Sequence, residues 1–408
     1  MHGLFRTSTM TVAITGVGVV SSLGIGFPAF SAALAQGRSS ISHYDDPVNG
    51  RSRLAARIGD WAPVPPPPGT GLGNEIDPAC QYALIAAREA ATRARALERH
   101  ADRDRIGVVV GCAVPGKIVD DAAYAKFYAN PTRRVHPLSI PRIMPNAAPS
   151  LIAADLELGG TAYTVSSACT SSLHALMLGA TLIETGLVDA AIVGGTEAPF
   201  APGLMAGWDS IGVLSKTSCR PFAPDRDGTV LGEGAAMFVL ESAHRIGHGA
   251  IATIAGYGAT TGRGEVVTPD TAAETRAMRQ ALHAAGWSGE DVDYIESHGT
   301  GTWANDTSEA DAIHATLGSG AAVWVPVGVL KSRIGHTLGA AGAFALAASL
   351  ALARSPQWSG PEYEFDPALR LSPAGGQTIR PIDRSLVNAF GFGGANLTLA
   401  IRHGSGGN

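Results

Sequence analysis

Cys169 stands where the apolar run YTVSS passes into ACTSSLHALMLGA, a strand giving way to a helix. Free backbone N–H groups and the positive end of the helix at such a junction favour a thiolate, which is how a cysteine becomes a nucleophile. His298 lies in YIESHGTGTWAND, directly after a strand, where a side chain projects from the sheet end into a cleft, and His336 lies in KSRIGHTLGAAG at another helix start. Either histidine alone reads as a structural residue. With Cys169 they supply a thiol and two imidazoles, the set that suits acyl transfer through a thioester. No group of Cys, His and Asp has metal-ligand spacing, so no metal site is expected. Cys112, in VVVGCAVPG, reads as a buried structural thiol.

Lys331 is one of only four lysines, five residues before His336 in a segment that tends to bury. Its structural role would be a salt bridge, and Glu309 in SEADAI is the available partner. The glycine clusters GFGGAN (Gly391 to Asn396) and GHTLGAAG supply neither GxGxxG between a strand and a helix nor a GxxxxGK[ST] loop, which removes nucleotide binding. Their expected use is close backbone approach, with N–H groups aimed at a developing oxyanion.

These residues need elements to hold them. Strands ending in glycine alternate with Ala-rich helical stretches in RIGVVVGC, AAIVGGTEA, VDYIESHGTG and VPVGVLKS, an α/β pattern. TVAITGVGVVSSLG near the start is echoed by ATIAGYGATTG from Ala252, and each half then offers an apolar strand feeding a small-residue helix. Two similar halves, residues 1–250 carrying Cys169 and residues 251–408 carrying both histidines, are therefore expected to face each other across one site. Val12 to Val20 read as a buried strand, since glycines interrupt what would otherwise imitate a signal peptide. Thr337 to Ala353 is uncharged but too short for a membrane span and reads as a buried helix, while the Pro-rich Trp61 to Gly71 reads as an extended surface loop.

At 408 residues with 45% hydrophobic and 16% charged residues, the chain has the composition of a compact enzyme, and disorder is excluded for most of its length. A net charge of −5 without a basic run gives no footprint for nucleic acid. Cys80, Cys112, Cys169 and Cys219 lack the density of a disulfide scaffold, so a reducing, cytoplasmic compartment is expected.

SSACTSSLHA, ESHGTGT, LKSRIGHTLGAAGA and NAFGFGGAN, in that order, resemble the motifs of elongating β-ketoacyl synthases of the thiolase superfamily. The similarity runs from about Val12 through PFAPDRDGTVLGEGAAMFVLE (Pro221 to Glu241) to the C-terminal LAIR. The resemblance implies a five-layered αβαβα thiolase fold, normally dimeric, with Cys169, His298 and His336 as a catalytic Cys-His-His set. It further implies that Lys331 and Glu309 support the site, and that Thr300 and Thr302 bind the phosphopantetheine arm of an acyl carrier protein. Phe392 would gate the acyl pocket from the malonyl site, with the N–H groups of Cys169 and Phe392 forming an oxyanion hole. Arg133 and Arg134 align with a basic patch that docks the acidic carrier protein. The implied reaction is decarboxylative condensation of a Cys169-bound acyl group with malonyl-carrier protein, without a cofactor beyond the phosphopantetheine that carries the substrates.

Two relatives within that superfamily do not fit. A thiolase would carry a second cysteine where this chain has NAFGFGGAN, and a chain-length factor, the non-condensing scaffold subunit of type II polyketide systems, would lack Cys169. WANDTSEADA looks closer to polyketide ketosynthase subunits, and SGPEYEFDPALRLSP departs from the housekeeping fatty-acid pattern. Fatty-acid and polyketide or polyene elongation both stand, as do a homodimer and a heterodimer with a related cysteine-free subunit, and the alternative from another class is a catalytically silent scaffold for a partner subunit. Trp303, beside the threonine pair, is expected to narrow the pocket or its mouth.

Overall fold

The computed structural model describes residues 11–59, 61–70, 76–132, 134–246, 249–318, 320–355, 358–375 and 381–404. The first half contributes β1 (Val12–Ser21), α1 (Pro78–Ala94), β2 (Ile106–Gly111), α2 (Ala147–Asp155), β3 (Ala162–Val165), α3 (Ser171–Glu184), β4 (Ala190–Glu197) and β5 (Gly234–Ser242). The second contributes β6 (Ala252–Thr261), α4 (Thr271–Ala285), β7 (Tyr294–Glu296), α5 (Trp303–Leu317), β8 (Pro326–Gly328), α6 (Ala341–Arg354), β9 (Ser372–Pro373), β10 (Arg384–Phe390) and β11 (Ala395–His403).

The strands lie in the order β9-β8-β7-β10-β11-β6-β1-β5-β4-β2-β3. Outward from the centre the first half reads β1-β5-β4-β2-β3 and the second β6-β11-β10-β7-β8, the same path through equivalent strands, with β9 added at the far edge. Pairing types match as well. The two inner pairs of each half are antiparallel and the two outer pairs parallel. The two half-sheets join edge to edge through three β1–β6 residue pairs, Val12 to Ile14 against Ile254 to Ala252.

The repeat suspected between TVAITGVGVVSSLG and ATIAGYGATTG is thus β1 against β6, and its glycines have a shared purpose. A Cβ on Gly16 or Gly18 would fall 2.1 Å or 2.0 Å from a carbonyl oxygen of α1, and one on Gly256 or Gly258 would fall 2.6 Å or 2.1 Å from a carbonyl oxygen of α4. Each outer helix lies directly on the strand backbone, which no side chain would permit. Both helices begin on an aspartate that accepts from the backbone, Asp77 from Ala79 N–H at 3.0 Å and Asp270 from Ala273 N–H at 2.9 Å.

The first-half sheet and the second-half sheet, continuous across β1–β6, enclose α3 and α6, whose Ala and Leu side chains pack with inward residues of both into one central core. One outer core is formed where α1 and α2 cover the first sheet, and another where α4 and α5 cover the second. The result is the five-layered αβαβα arrangement expected. β1 is buried along its whole length, α6 is buried from Ala341 to Leu352, and Trp61 to Thr70 is an extended loop, as the sequence indicates; Gly71 lies outside the described residues. Among the described residues no helix is long and apolar enough to cross a membrane.

Candidate active site

Cys169 sits one residue before the N-cap of α3, in the turn that follows β3. Ala168 before it is held at φ 52°, in the left-handed region, a strained conformation for a residue with a Cβ. His298 lies two residues past β7, and His336 lies on the path from β8 to α6. Leu338, two residues beyond His336, is also left-handed, at φ 44°. The central layer therefore brings the two helix-start segments together. His336 Nε2 lies 3.1 Å from Cys169 Sγ, and the two imidazole rings are 5.4 Å apart at 84°. All three side chains are buried.

Leu338 N–H donates to His336 Nδ1 at 3.2 Å, so a neutral ring carries its proton on Nε2, facing the sulfur. Lys331 Nζ stands 3.5 Å from His298 Nδ1 and, as a donor, assigns the same tautomer to that ring. Both histidines are held well below the ordinary imidazole range by burial and then by the Lys331 charge. The pair is thus two neutral N–H donors.

Cys169 corrects one expectation. Burial raises its thiol to about 11, against the opposing effects of the Lys331 charge and the N–H groups of Phe392 and Cys169. Desolvation of the anion outweighs these opposing effects, so the thiol is favoured over the thiolate at rest. The donors that converge on it are placed for an anion that forms during reaction.

The Lys331–Glu309 ion pair is also corrected. Lys331 donates to the carbonyl of His298, while Glu309 accepts from His298 N–H at 2.8 Å, Gly299 N–H at 2.7 Å and Asn388 Nδ2 at 3.1 Å. The two charges grip the backbone of His298 from either side instead of each other, because a buried carboxylate gains more from three preplaced donors. The Cys, His and His donor atoms do fall within 4.8 Å of one another, a proximity that sequence spacing does not reveal. A cation there would meet the ammonium of Lys331.

A cavity of about 220 Å³ reaches Cys169, His298 and His336 and is also lined by Thr300, Thr302, Phe390, Phe392 and Glu274. The Thr300 and Thr302 hydroxyls are 2.9 Å apart, and Thr302 caps α5. A more open cavity of about 390 Å³ approaches Cys169 past Ala113, Val114, Leu204 and Leu338. Phe392 and Trp208 line both, their rings stacked at 6.2 Å.

Family models for the β-ketoacyl synthase N-terminal domain and C-terminal domain match residues 9–245 and 251–358. The chain belongs to the β-ketoacyl synthase family. It is 34% identical to nodulation protein E of Rhizobium sp. (strain N33) over 96% of this chain and 98% of that protein. It is 34% identical to 3-oxoacyl-[acyl-carrier-protein] synthase 2 of Staphylococcus aureus over 81% of this chain and 85% of that one. Among solved structures, the ishigamide ketosynthase/chain length factor is similar with a TM-score of 0.85 at 28% identity, over 97% of this chain and 99% of that one. A Xenorhabdus doucetiae ketosynthase, ApeO, in complex with its chain length factor, ApeC, gives 0.84 at 26%, over 99% and 100%. The thiolase fold anticipated for a β-ketoacyl synthase is the fold observed.

Within this synthase, Trp303 does not narrow the cavity. It turns outward, 55% exposed, with the Arg226 guanidinium 3.8 Å above its ring, a cation–π contact that holds it away from the threonine pair. Arg134 is exposed, and Arg133 lies outside the described residues. Sequence reading missed Trp208, Leu338 and Glu197. For Glu197 a signal existed: a lone carboxylate closes the otherwise apolar, wholly buried strand AAIVGGTE.

Proposed function

We propose that this synthase condenses an acyl group held on Cys169 with malonyl-carrier protein, elongating an acyl chain by two carbons per cycle. The observation that carries the reading is the convergence on one sulfur of His336 Nε2 and the N–H groups of Cys169 and Phe392, at the junction of two cavities. Residues 1–250 supply the thiol and residues 251–408 the imidazoles, so the two halves work as one unit.

Cys169 sulfur attacks the acyl thioester, and the carrier's pantetheine thiol leaves with a proton. Malonyl-carrier protein follows, its arm against Thr300 and Thr302. The bond to the carboxylate breaks, carbon dioxide leaves, and the electron pair moves to the thioester oxygen, which takes hydrogen bonds from His298 and His336 Nε2–H. The enolate carbon then attacks the acyl carbonyl, whose oxyanion meets the N–H groups of Cys169 and Phe392. The carbon–sulfur bond breaks, Cys169 leaves as a thiolate that takes one proton from solvent, and the β-ketoacyl product stays on the carrier. Lys331 and Glu309 hold His298, and Phe392 separates the two cavities. Orientation and preorganised donors do the work, and no electrons enter from outside.

The carrier protein docks near Arg133 and Arg134. The partner subunit has the same fold, a second copy or a cysteine-free relative, as in the ketosynthase and chain-length-factor pairs above. Two features support an assembly: β3 ends the sheet with Ala162 and Tyr163 exposed, and the helix Lys117–Ala129 exposes Tyr124, Phe127 and Tyr128. Four free thiols fit a reducing cytoplasm. Intact mass after incubation with acyl-carrier proteins tests the reading: Cys169 gains the acyl mass, Cys169→Ala does not, and His298→Ala acylates but fails to release carbon dioxide from malonyl-carrier protein. Condensation by Cys169→Ala would overturn it.

A further inference from the structure

Glu197 ends β4 with no exposed surface. A carboxyl buried among Ala, Ile, Val, Gly and Thr costs desolvation unless donors surround it. Four do. One oxygen accepts from Val114 N–H at 3.2 Å and Cys112 Sγ–H at 3.3 Å, the other from Ala113 N–H at 2.8 Å and Gly339 N–H at 2.9 Å. The first three donors follow β2 in the first half; the fourth belongs to the second half. A Cβ on Gly339 would stand 2.3 Å from Ala113 N and 2.8 Å from Glu197 Oε2, so glycine is what allows the segments to close around the carboxyl.

The segments so joined have two faces. Ala113, Val114 and Leu338 form wall of the more open cavity beside Cys169. The N–H of that same Leu338 holds His336 Nδ1, which keeps the ring's proton on Nε2. A chain bearing on this wall therefore bears on the hydrogen bond that orients His336, and the carboxyl is the brace between the two sides. We infer that Glu197 is a positioning residue that couples an apolar acyl chain in this cavity to the orientation of His336, so that malonyl decarboxylation is promoted by a chain already in place. The inference rests on the reading of Cys169 as acyl acceptor and His336 as enolate donor. Coupling of this kind is reciprocal in binding: a malonyl group held by His336 would tighten the seat of the chain.

The test uses the full chain with Cys169 capped by alkyl iodoacetamides of increasing length, reading carbon dioxide release from malonyl-carrier protein. Decarboxylation kcat should rise with cap length in the unaltered protein. In Glu197→Gln, where an amide N–H opposes one pair of donors, kcat on the capped protein should fall about tenfold to a hundredfold, as for a reacting group misplaced by an ångström. KM should stay nearly constant and the dependence on cap length flatten; Glu197→Asp should fall between. A rate in the unaltered protein that ignores cap length overturns the coupling whatever the variants do. So does a Glu197→Gln protein that is merely slower with its cap dependence intact, since that marks a structural role. Acylation of Cys169, followed by intact mass in the same preparations, separates the outcomes: if the unaltered chain is never acylated, it is the proposed condensation that fails.

Discussion

Alkylation of Cys169 measures the balance between burial and stabilising donors at the site. With its thiol at about 11, only about one molecule in a thousand carries the thiolate at pH 8, each pH unit being worth about 1.4 kcal/mol. Because the thiolate is the nucleophile, the initial rate with iodoacetamide should climb about tenfold per pH unit from 7 to 10 without a plateau. Lys331→Met removes the nearby positive charge that pulls the thiol down, so at fixed pH it should slow alkylation while the slope persists. The other cysteines provide an internal reference. Cys80 and Cys112 are driven further up by burial, and Cys219 to about 12, and none of the three lines the cavities at Cys169. Brief pH jumps followed by peptide mass spectrometry would give the rate at each thiol. A plateau between pH 7 and 8, or a Lys331→Met rate equal to that of the unaltered protein, would refute the reasoning by showing a thiolate already formed at rest.

Glu274 is raised to about 8, chiefly by burial and then by the Glu309 charge. The folded protein thus holds a proton that the unfolded chain has lost, between about pH 4.5 and 8. Stability should fall as pH rises through that window, and Glu274→Gln should remove this part of the slope in melting curves from pH 6 to 9. Gly258→Ala would set a Cβ 2.1 Å from the Ala277 carbonyl, so it should cost about 1–3 kcal/mol in urea unfolding as α4 is pushed from β6. Replacing both Arg133 and Arg134 by Glu should raise the carrier-protein KM and flatten its salt dependence; unchanged kinetics would move the docking site elsewhere.

Much of the architecture is legible because it follows from local pattern. Glycines at alternate positions in VAITGVGVV and ATIAGYGAT reveal strands on which helices lie, and the spacing of small residues in α6 reveals a helix buried all round. The meeting of Cys169 with His336 is a long-range contact, and only the repeat, set beside the family motifs, hints at it. Electrostatics were least legible. A helix start next to Cys169 suggests an acidic thiol, yet the sign is decided by how deeply the surrounding layers bury it. Similarly, Lys331 and Glu309 suggest an ion pair until their shared hold on the His298 backbone is seen. Trp303 shows the same limit, since its direction depends on Arg226, distant in sequence.

The left-handed conformations of Ala168 and Leu338 have an implication for engineering. Each costs on the order of 1 kcal/mol relative to glycine, at positions flanking the sulfur and the imidazole. At Leu338 the buried side chain is worth more than the strain relieved, but at Ala168 a search for thermostable variants would tend to select glycine. The added heat tolerance would come from relaxing the turn that aims the sulfur, so a hardier protein would be a slower one, and screening by melting temperature alone would enrich the wrong clones.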